Sequence, residues 1–286
     1  MSRHVNLVVN RQAVRCLRGR WGKGVAGSLF IMGMWMLIFL LEQLCLTALS
    51  LLEEPLLEMP LLGIFLTPAQ AVASGVFSLI SLLVLVPLLA GFTRWFYLLS
   101  SGPTPDLRTI FDFLASPRLY GKAVWLWFST SLRVLIFGGL LSLPTLAVWL
   151  GQRYLAVFSS PAAAIGRAAL LFLLLVLAAL SLILTAAFGL RYFLAPYYLA
   201  SGDQVTVREA VRSSVQKMKG HKGQVLTLMV GWLPLWLSCL LLAPLPFVVP
   251  YCGCALAINA RYLMEQPAEA DHAVPQQESV EAGAQI

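Results

Sequence analysis

Long apolar runs separated by short polar segments make up most of this chain. Six runs of about 18 to 28 residues are longer than a buried strand and long enough to cross a bilayer. Because an isolated strand in lipid would leave its backbone polar groups unpaired, each run is predicted to be a helix. The predicted helices cover residues 25–52, 72–99, 123–150, 168–193, 225–242 and 246–263.

The connection between the last two predicted helices is rich in proline. Pro244, Pro246 and Pro250 lie within seven residues of one another. Proline lacks a backbone N–H and disfavours continuous helix. Two interpretations therefore stay open for this pair: two full membrane crossings, or a short re-entrant hairpin.

Composition agrees with a membrane protein. Of the 286 residues, 59% are hydrophobic and 12% are charged, and the mean hydropathy is +0.81. Soluble domains carry about 25% charged residues, and the polar segments here are too short to fold as a separate soluble domain. The expected fold is an all-α polytopic membrane protein with about six transmembrane helices and amphipathic interfacial helices on the cytoplasmic side.

Basic residues are distributed asymmetrically among the segments between the predicted helices. Seventeen of the 20 lie in the N-terminal segment, the second and fourth loops, or after the last helix. Lysine and arginine are enriched on the cytoplasmic side of membrane proteins, so both termini are expected in the cytoplasm and the loop with Glu53, Glu54 and Glu58 outside. The net charge of +7 then indicates attraction to anionic lipids at the cytoplasmic face rather than to nucleic acid.

These features suggest a domain organisation. Residues 1–24 form a basic cytoplasmic tail, 25–263 a six-span membrane domain, and 264–286 an acidic, disordered cytoplasmic tail. The first span is too long for a signal-peptide core and is expected to be retained. Similar polar segments before the spans also suggest three repeats, 1–100, 101–200 and 201–263, although convergence of basic loops would produce the same likeness.

Amphipathic helices are predicted in the second and fourth loops. In the fourth loop Thr206 and Glu209 have the spacing of a capping box. In the second loop Leu107, Ile110 and Phe111, with Leu114, form an apolar stripe. Such helices lie at the membrane interface with basic residues beside the headgroups; the candidates are Arg108, Arg208, Arg212, Lys217, Lys219 and Lys222.

Catalytic and cofactor motifs are not recognisable. Residues 22–27 match G-x-G-x-x-G but lack the strand that the dinucleotide-binding motif requires. The five cysteines and three histidines are scattered, whereas a structural zinc site needs four converging ligands. We therefore predict no catalytic residues, no metal and no cofactor.

Three polar residues inside the predicted spans are candidate functional residues. Glu42, Arg133 and Asn259 are costly to place in lipid. Glu42 and Arg133 could approach each other as an intramembrane pair that fixes register or marks a pathway. Alternatively, Arg133 extends toward the cytoplasm and Glu42 is protonated or faces a wet crevice. Asn259 lies near Gly253 and Ala257, whose spacing favours close helix packing.

The chain resembles the domain of unknown function 975 family of bacterial integral membrane proteins. The similarity is strongest over 197–263, where Ser214 is followed by Met218-Lys219-Gly220 and then by "GWLPLW" and "PY". Weaker similarity includes "RQAVRCLRGRWGKG" and "GFTRWFYLLSSG". Gly202-Asp203-Gln204 departs from the acidic sequence common before the amphipathic helix. A looser similarity to the membrane portion of glycerophosphodiester phosphodiesterases lacks their enzymatic domain. The resemblance implies a multi-span protein of the bacterial plasma membrane and assigns no activity.

Three functions are compatible with the sequence. The first is a non-enzymatic membrane component that binds a membrane protein partner or organises lipid. The second is a transporter or exporter of a small or amphipathic molecule, which needs a polar cavity near the bilayer midplane. The third is a membrane-embedded lipid-modifying enzyme, which needs clustered ionisable residues at the interface.

Overall fold

The computed structural model describes residues 2–52, 58–59, 64–65, 68–102, 104–155, 161–241 and 243–265. The long helices are α1 (Ser2–Leu17), α2 (Trp21–Leu52), α3 (Pro68–Leu99), α5 (Pro117–Leu155), α6 (Pro161–Gly189) and α11 (Leu245–Glu265). The shorter ones are α4 (Asp112–Ala115), α7 (Ala195–Ser201), α8 (Val207–Lys217), α9 (Lys222–Gly231) and α10 (Leu233–Ser238). Three 3-10 helices cover Leu107–Phe111, Leu190–Tyr192 and Cys239–Leu241.

The fold is all-α, as predicted. Six helical stretches are long and apolar enough to cross a membrane: Trp21–Ser50, Pro68–Leu99, Pro117–Tyr154, Ala164–Ser201, Lys222–Leu241 and Leu245–Glu265. The only strands within the described residues are β1 (Glu58–Met59) and β2 (Ile64–Phe65), which pair antiparallel. Glu53, Glu54 and the acidic segment from residue 266 onward lie outside the described residues.

Two helical hairpins form the long part of the molecule. Helix α2 packs on α3, and α5 packs on α6. Phe137 and Phe188 stack with ring centroids 4.1 Å apart. No residue is buried in the most apolar stretch of α5 or α6, and large side chains such as Leu135 and Leu182 are about 70% exposed. Continuous apolar surface of this extent is stable only against lipid or another protein.

The segments rich in lysine and arginine converge at one end of this bundle, which we call the basic end. It comprises the turn 18–20, the segments 100–102 and 104–116, the loop 202–206 and the turn 218–221. Arg20 connects the first two of these segments, because its Nη2 donates to the carbonyl oxygen of Gly102 at 3.0 Å. The backbone at Gly102 has φ of +107°, a conformation that favours glycine.

The N-terminal segment, predicted as a tail to residue 24, contains a helix that packs on the rest of the molecule. Val9, Ala13 and Leu17 lie one helical turn apart and are buried, where α1 packs on α11 and α9. Helix α2 already begins at Trp21. At the other end, α11 continues to Glu265, two residues past the predicted end of the membrane domain.

Of the two predicted amphipathic helices, only the one in the fourth loop forms as expected. Helix α8 is confirmed, with the complete capping box between Thr206 and Glu209. The second loop instead forms a 3-10 helix followed by the single turn of α4. Of its predicted stripe Ile110 is buried, whereas Phe111 and Leu114 are exposed, and Phe113 takes the second buried position.

The last two apolar helical stretches lie close to the basic end of the bundle. A Cβ added at Gly24, in the first turn of α2, would be 3.0 Å from the Pro250 side chain, and one added at Gly253 would overlap the Phe96 ring. The residues 250–253 of α11 are therefore level with the start of α2 and the end of α3. Trp232 lies beside Tyr251 with ring centroids 6.2 Å apart.

This placement limits how far the pair extends along α2. At 1.5 Å per residue, Leu245 lies at most about 8 Å beyond Pro250, and Leu241 at most about 14 Å beyond Trp232. Helix α2 continues for about 42 Å beyond Gly24. The connection between the fifth and sixth apolar helices thus ends less than halfway along α2. Of the two interpretations open from the sequence, this geometry favours the re-entrant hairpin.

Candidate functional site

Glu42 and Arg133, the proposed intramembrane pair, are not joined. Glu42 Oε1 accepts a hydrogen bond from Ser74 Oγ at 2.7 Å, which connects α2 to α3. Arg133 is exposed on α5 and has no ion-pair partner among the described residues. Because α5 packs mainly on α6, the pairing expected from depth alone is not formed.

Asn259 is fully buried where α11 meets α9. Its Oδ1 accepts a hydrogen bond from Gln224 Nε2 at 3.0 Å, and its Nδ2 has no partner among the described residues. The predicted close packing of the neighbouring Gly253 is confirmed, because the ring of Phe96 fills the space next to its Cα. Gln224 was not identified from the sequence; its position immediately before the predicted helix 225–242 was the available signal.

Arg94 is the centre of an ionic network at the basic end. Its Nη1 donates to Asp203 Oδ1 at 2.7 Å, and its Nε lies 3.6 Å from Asp112 Oδ2. Lys122 Nζ donates to the carbonyl oxygens of Asp203 and Val205, at 2.6 and 2.9 Å. Burial raises the pKa of Asp112, with Arg94 acting in the opposite direction and Asp203 in the same one. The network joins α3, α4, α5 and the loop before α8.

Ser214 holds the break between α6 and α7. Its Oγ donates to the Arg191 carbonyl oxygen at 2.8 Å and accepts from the Leu194 N–H at 3.2 Å. Both backbone groups lie where the helix is interrupted by the 3-10 helix Leu190–Tyr192 and would otherwise lack partners. Ser214, one of the residues that carries the family resemblance, therefore positions Arg191.

The predicted interfacial basic residues occupy different environments. Arg208, Arg212 and Lys219 are exposed, while Lys217 and Lys222 are half-buried. Arg108 Nε lies 3.9 Å from Asp106 Oδ2, with both side chains well exposed, and such a pair contributes little. In α8 the hydrogen bonds from the Thr206 hydroxyl and N–H lower the pKa of Glu209; its carboxylate is used by the helix cap.

A cleft of about 660 Å³ opens between α5, the α6–α7 break, α9 and α11. Its walls are mostly apolar and aromatic, and include Trp127, Tyr192, Tyr197, Met229 and Leu256. A second cavity of about 170 Å³ extends it toward α3 and shares Trp127, Thr130 and Tyr192 with it. Together the two volumes form the cleft. Neither Glu42 nor Arg133 is among its lining residues.

A second concave site, the cationic pocket, adjoins the same elements. It has a volume of about 580 Å³ and is lined by Arg191, Val215, Lys219, Gly220 and Lys222. Gly220 has φ of +81° in the turn between α8 and α9. No carboxylate pairs with Arg191, Lys219 or Lys222 within the part of the chain that the structure describes. The sequence placed Arg191 with these lysines among the basic residues of the fourth loop, but Arg191 was not named as an interfacial candidate.

Metal-ligating side chains are dispersed. All five cysteines are free, and among the described residues no group of three or more His, Cys, Asp or Glu side chains could hold a metal ion. The polar groups that do converge are the cations of the cationic pocket and the Arg94 network.

Comparison with known proteins adds no relative. No family model matches the chain, and neither the curated proteins nor the solved structures include a significant match. The resemblance to the domain of unknown function 975 family stays a prediction.

Proposed function

We propose that this chain is a non-enzymatic, multi-pass protein of the bacterial plasma membrane that binds and organises anionic lipid at the cytoplasmic leaflet. Both termini and the basic end then face the cytoplasm, in agreement with the positive-inside rule. The observation that carries the proposal is the set of exposed basic side chains at one end of an apolar bundle. Arg208 and Arg212, one turn apart on α8, are exposed and have no acidic partner among the described residues.

Helix α1 supports the same role. Its outer surface and the turn that follows it combine exposed apolar residues with exposed arginines: Leu7, Val8 and Val14 with Arg11, Arg15 and Arg18. Its opposite surface packs on α11 and α9. A helix with this composition is suited to the boundary between acyl chains and headgroups, where each basic side chain near an anionic surface contributes about 1 kcal/mol.

Removal of two charges tests this role. The full-length protein is purified in mild detergent, and the co-purifying phospholipids are compared with those of the source membrane. We expect anionic lipid to be enriched with the unchanged chain and the enrichment to fall clearly with R208A/R212A, because about 2 kcal/mol of attraction is removed.

The matched control is R153A/R167A, which removes one arginine near the end of α5 and one near the start of α6. This control should retain the enrichment. Equal lipid composition in the protein sample and the source membrane would contradict the proposal, as would equal losses in the two double variants.

The transporter and enzyme alternatives receive no specific support. The transporter prediction used Glu42 and Arg133 as residues of one polar cavity, but Glu42 bonds to Ser74 and neither residue lines the cleft. The enzyme prediction needs converging ionisable groups. Asp112 is engaged with Arg94, and Asp106 lies beside exposed Arg108.

A further inference from the structure

The cleft and the cationic pocket are lined by neighbouring residues of the same two elements. Both are lined by residues of the same short break, since Tyr192 borders the cleft and Arg191 the pocket. Both also use α9, where Met229 borders the cleft and Lys222 the pocket. Seven residues of helix separate Lys222 from Met229, a distance of about 10 Å along the axis. An elongated ligand with one anionic end and one apolar end matches this arrangement.

We propose that a single phospholipid with an anionic headgroup binds here, its phosphate in the cationic pocket and its acyl chains in the cleft. The inference rests on the proposed function, to which it adds one defined, stoichiometric site. Arg191, Lys219 and Lys222 supply three positive charges, and a phosphate diester with a further uncharged headgroup supplies the complementary negative charge.

The hydrogen bonding of the cleft wall explains why acyl chains fit it. Thr93 Oγ1 donates to the Leu89 carbonyl oxygen at 2.8 Å, and Thr130 Oγ1 donates to the Leu126 carbonyl oxygen at 2.8 Å. Their hydroxyl hydrogens are thus used within their own helices, as is common for threonine in helices. The cleft consequently offers mainly methyl, methylene and aromatic surface to its occupant.

Two irregular segments supply the cations of the pocket: the break between α6 and α7, and the turn between α8 and α9. The Arg191 guanidinium lies over the Phe188 ring, 5.2 Å from its centroid, and its backbone is bonded to Ser214. The left-handed turn at Gly220 lies between Lys219 and Lys222 in the wall of the pocket. The segment from Ser214 to Gly220, which lies within the stretch 197–263 of strongest family resemblance, thus supplies much of this site.

Native mass spectrometry of the full-length, delipidated protein with added phosphatidylglycerol or phosphatidylcholine tests the site. We expect one phosphatidylglycerol to bind more tightly than all later ones, and to bind at least tenfold more tightly than phosphatidylcholine. K219A/K222A should weaken this first binding step at least tenfold. R208A/R212A removes two charges from the same loop and should affect only the weaker, later steps.

A cleft-filling variant tests the acyl part independently. A Cβ at Gly189 would meet only Val134, at 4.0 Å, so G189L should fold and occupy part of the cleft. It should also weaken binding of the first phosphatidylglycerol at least tenfold. Thermal melting followed by tryptophan fluorescence shows whether each variant is folded.

The outcomes separate the two proposals. Equal weakening by K219A/K222A and R208A/R212A would overturn the site and leave the lipid-organising surface intact. Unchanged first binding in G189L would overturn the cleft as the acyl site, and full competition by soluble glycerol phosphate would identify a free-anion pocket instead. Equal affinity for phosphatidylglycerol and phosphatidylcholine in the unchanged chain would contradict the proposed function itself.

Discussion

Replacement of Gly91 by alanine is expected to destabilise the protein by about 3 kcal/mol, at the upper end of the usual range for overpacking. A Cβ on Gly91 would overlap the carbonyl oxygen of Ile110 and lie 2.7 Å from its carbonyl carbon. Backbone atoms cannot move aside as a flexible side chain can. The 3-10 helix Leu107–Phe111 would have to shift away from α3, and the buried Ile110 side chain would leave the core with it.

Thermal melting in detergent, followed by tryptophan fluorescence, measures this effect. Gly75 is a matched control in the same helix, because a Cβ there meets nothing within 4 Å. G75A should be as stable as the unchanged chain or more stable by about 1 kcal/mol, since alanine has the higher helix propensity. Equal melting temperatures for G91A and G75A would show that α3 and the 3-10 helix are not in backbone contact.

A cysteine introduced at position 243 should not react with a membrane-impermeant reagent added outside the cell. The expected effect is a complete absence of labelling. Ala243 lies in the connection between α10 and α11, two residues before Leu245, and therefore at most about 15 Å beyond the level of Pro250. A hydrocarbon core is about 30 Å thick. A re-entrant pair entering from the cytoplasmic side therefore ends inside the hydrocarbon, where a thiol cannot ionise and react.

Labelling of intact cells with a membrane-impermeant maleimide makes this measurement, in a chain whose five native cysteines are replaced by alanine. The control is A69C in the first turn of α3, at the end of that helix opposite the basic end, which should be labelled. Labelling of A243C as strong as that of A69C would contradict the re-entrant placement and establish two full crossings.

Hydropathy predicted the helices well, because their length and apolarity are properties of local sequence. The run 123–150 and the observed α5 (Pro117–Leu155) differ only at their ends. For the proline-rich connection at Pro244, Pro246 and Pro250 the sequence left two interpretations open, of which a short re-entrant hairpin was one. How far the last two apolar stretches extend from the basic end was less predictable, because this depends on which surfaces of α11 pack on α2 and α3.

The candidate site was only partly predictable, because its residues come from five distant segments. Lys219 and Lys222 were identified as interfacial cations, yet Arg191 joins them through the bond from Ser214 to its backbone. Glu42 and Arg133 were grouped by depth, but depth does not determine which helices touch. Trp127 and Met229 appear in the sequence as ordinary apolar residues, and only the spacing of their helices makes them cleft walls.

Photo-crosslinking with phosphatidylglycerol that carries a diazirine near the glycerol end of one acyl chain tests most directly whether anionic lipid occupies the basic end. The protein is irradiated in vesicles containing this probe, and the modified residues are mapped by peptide mass spectrometry. We predict adducts concentrated in residues 127–135 and 189–197 and at Met229. Adducts distributed evenly along the exposed faces of α2, α5 and α6, with no excess at these residues, would contradict the account.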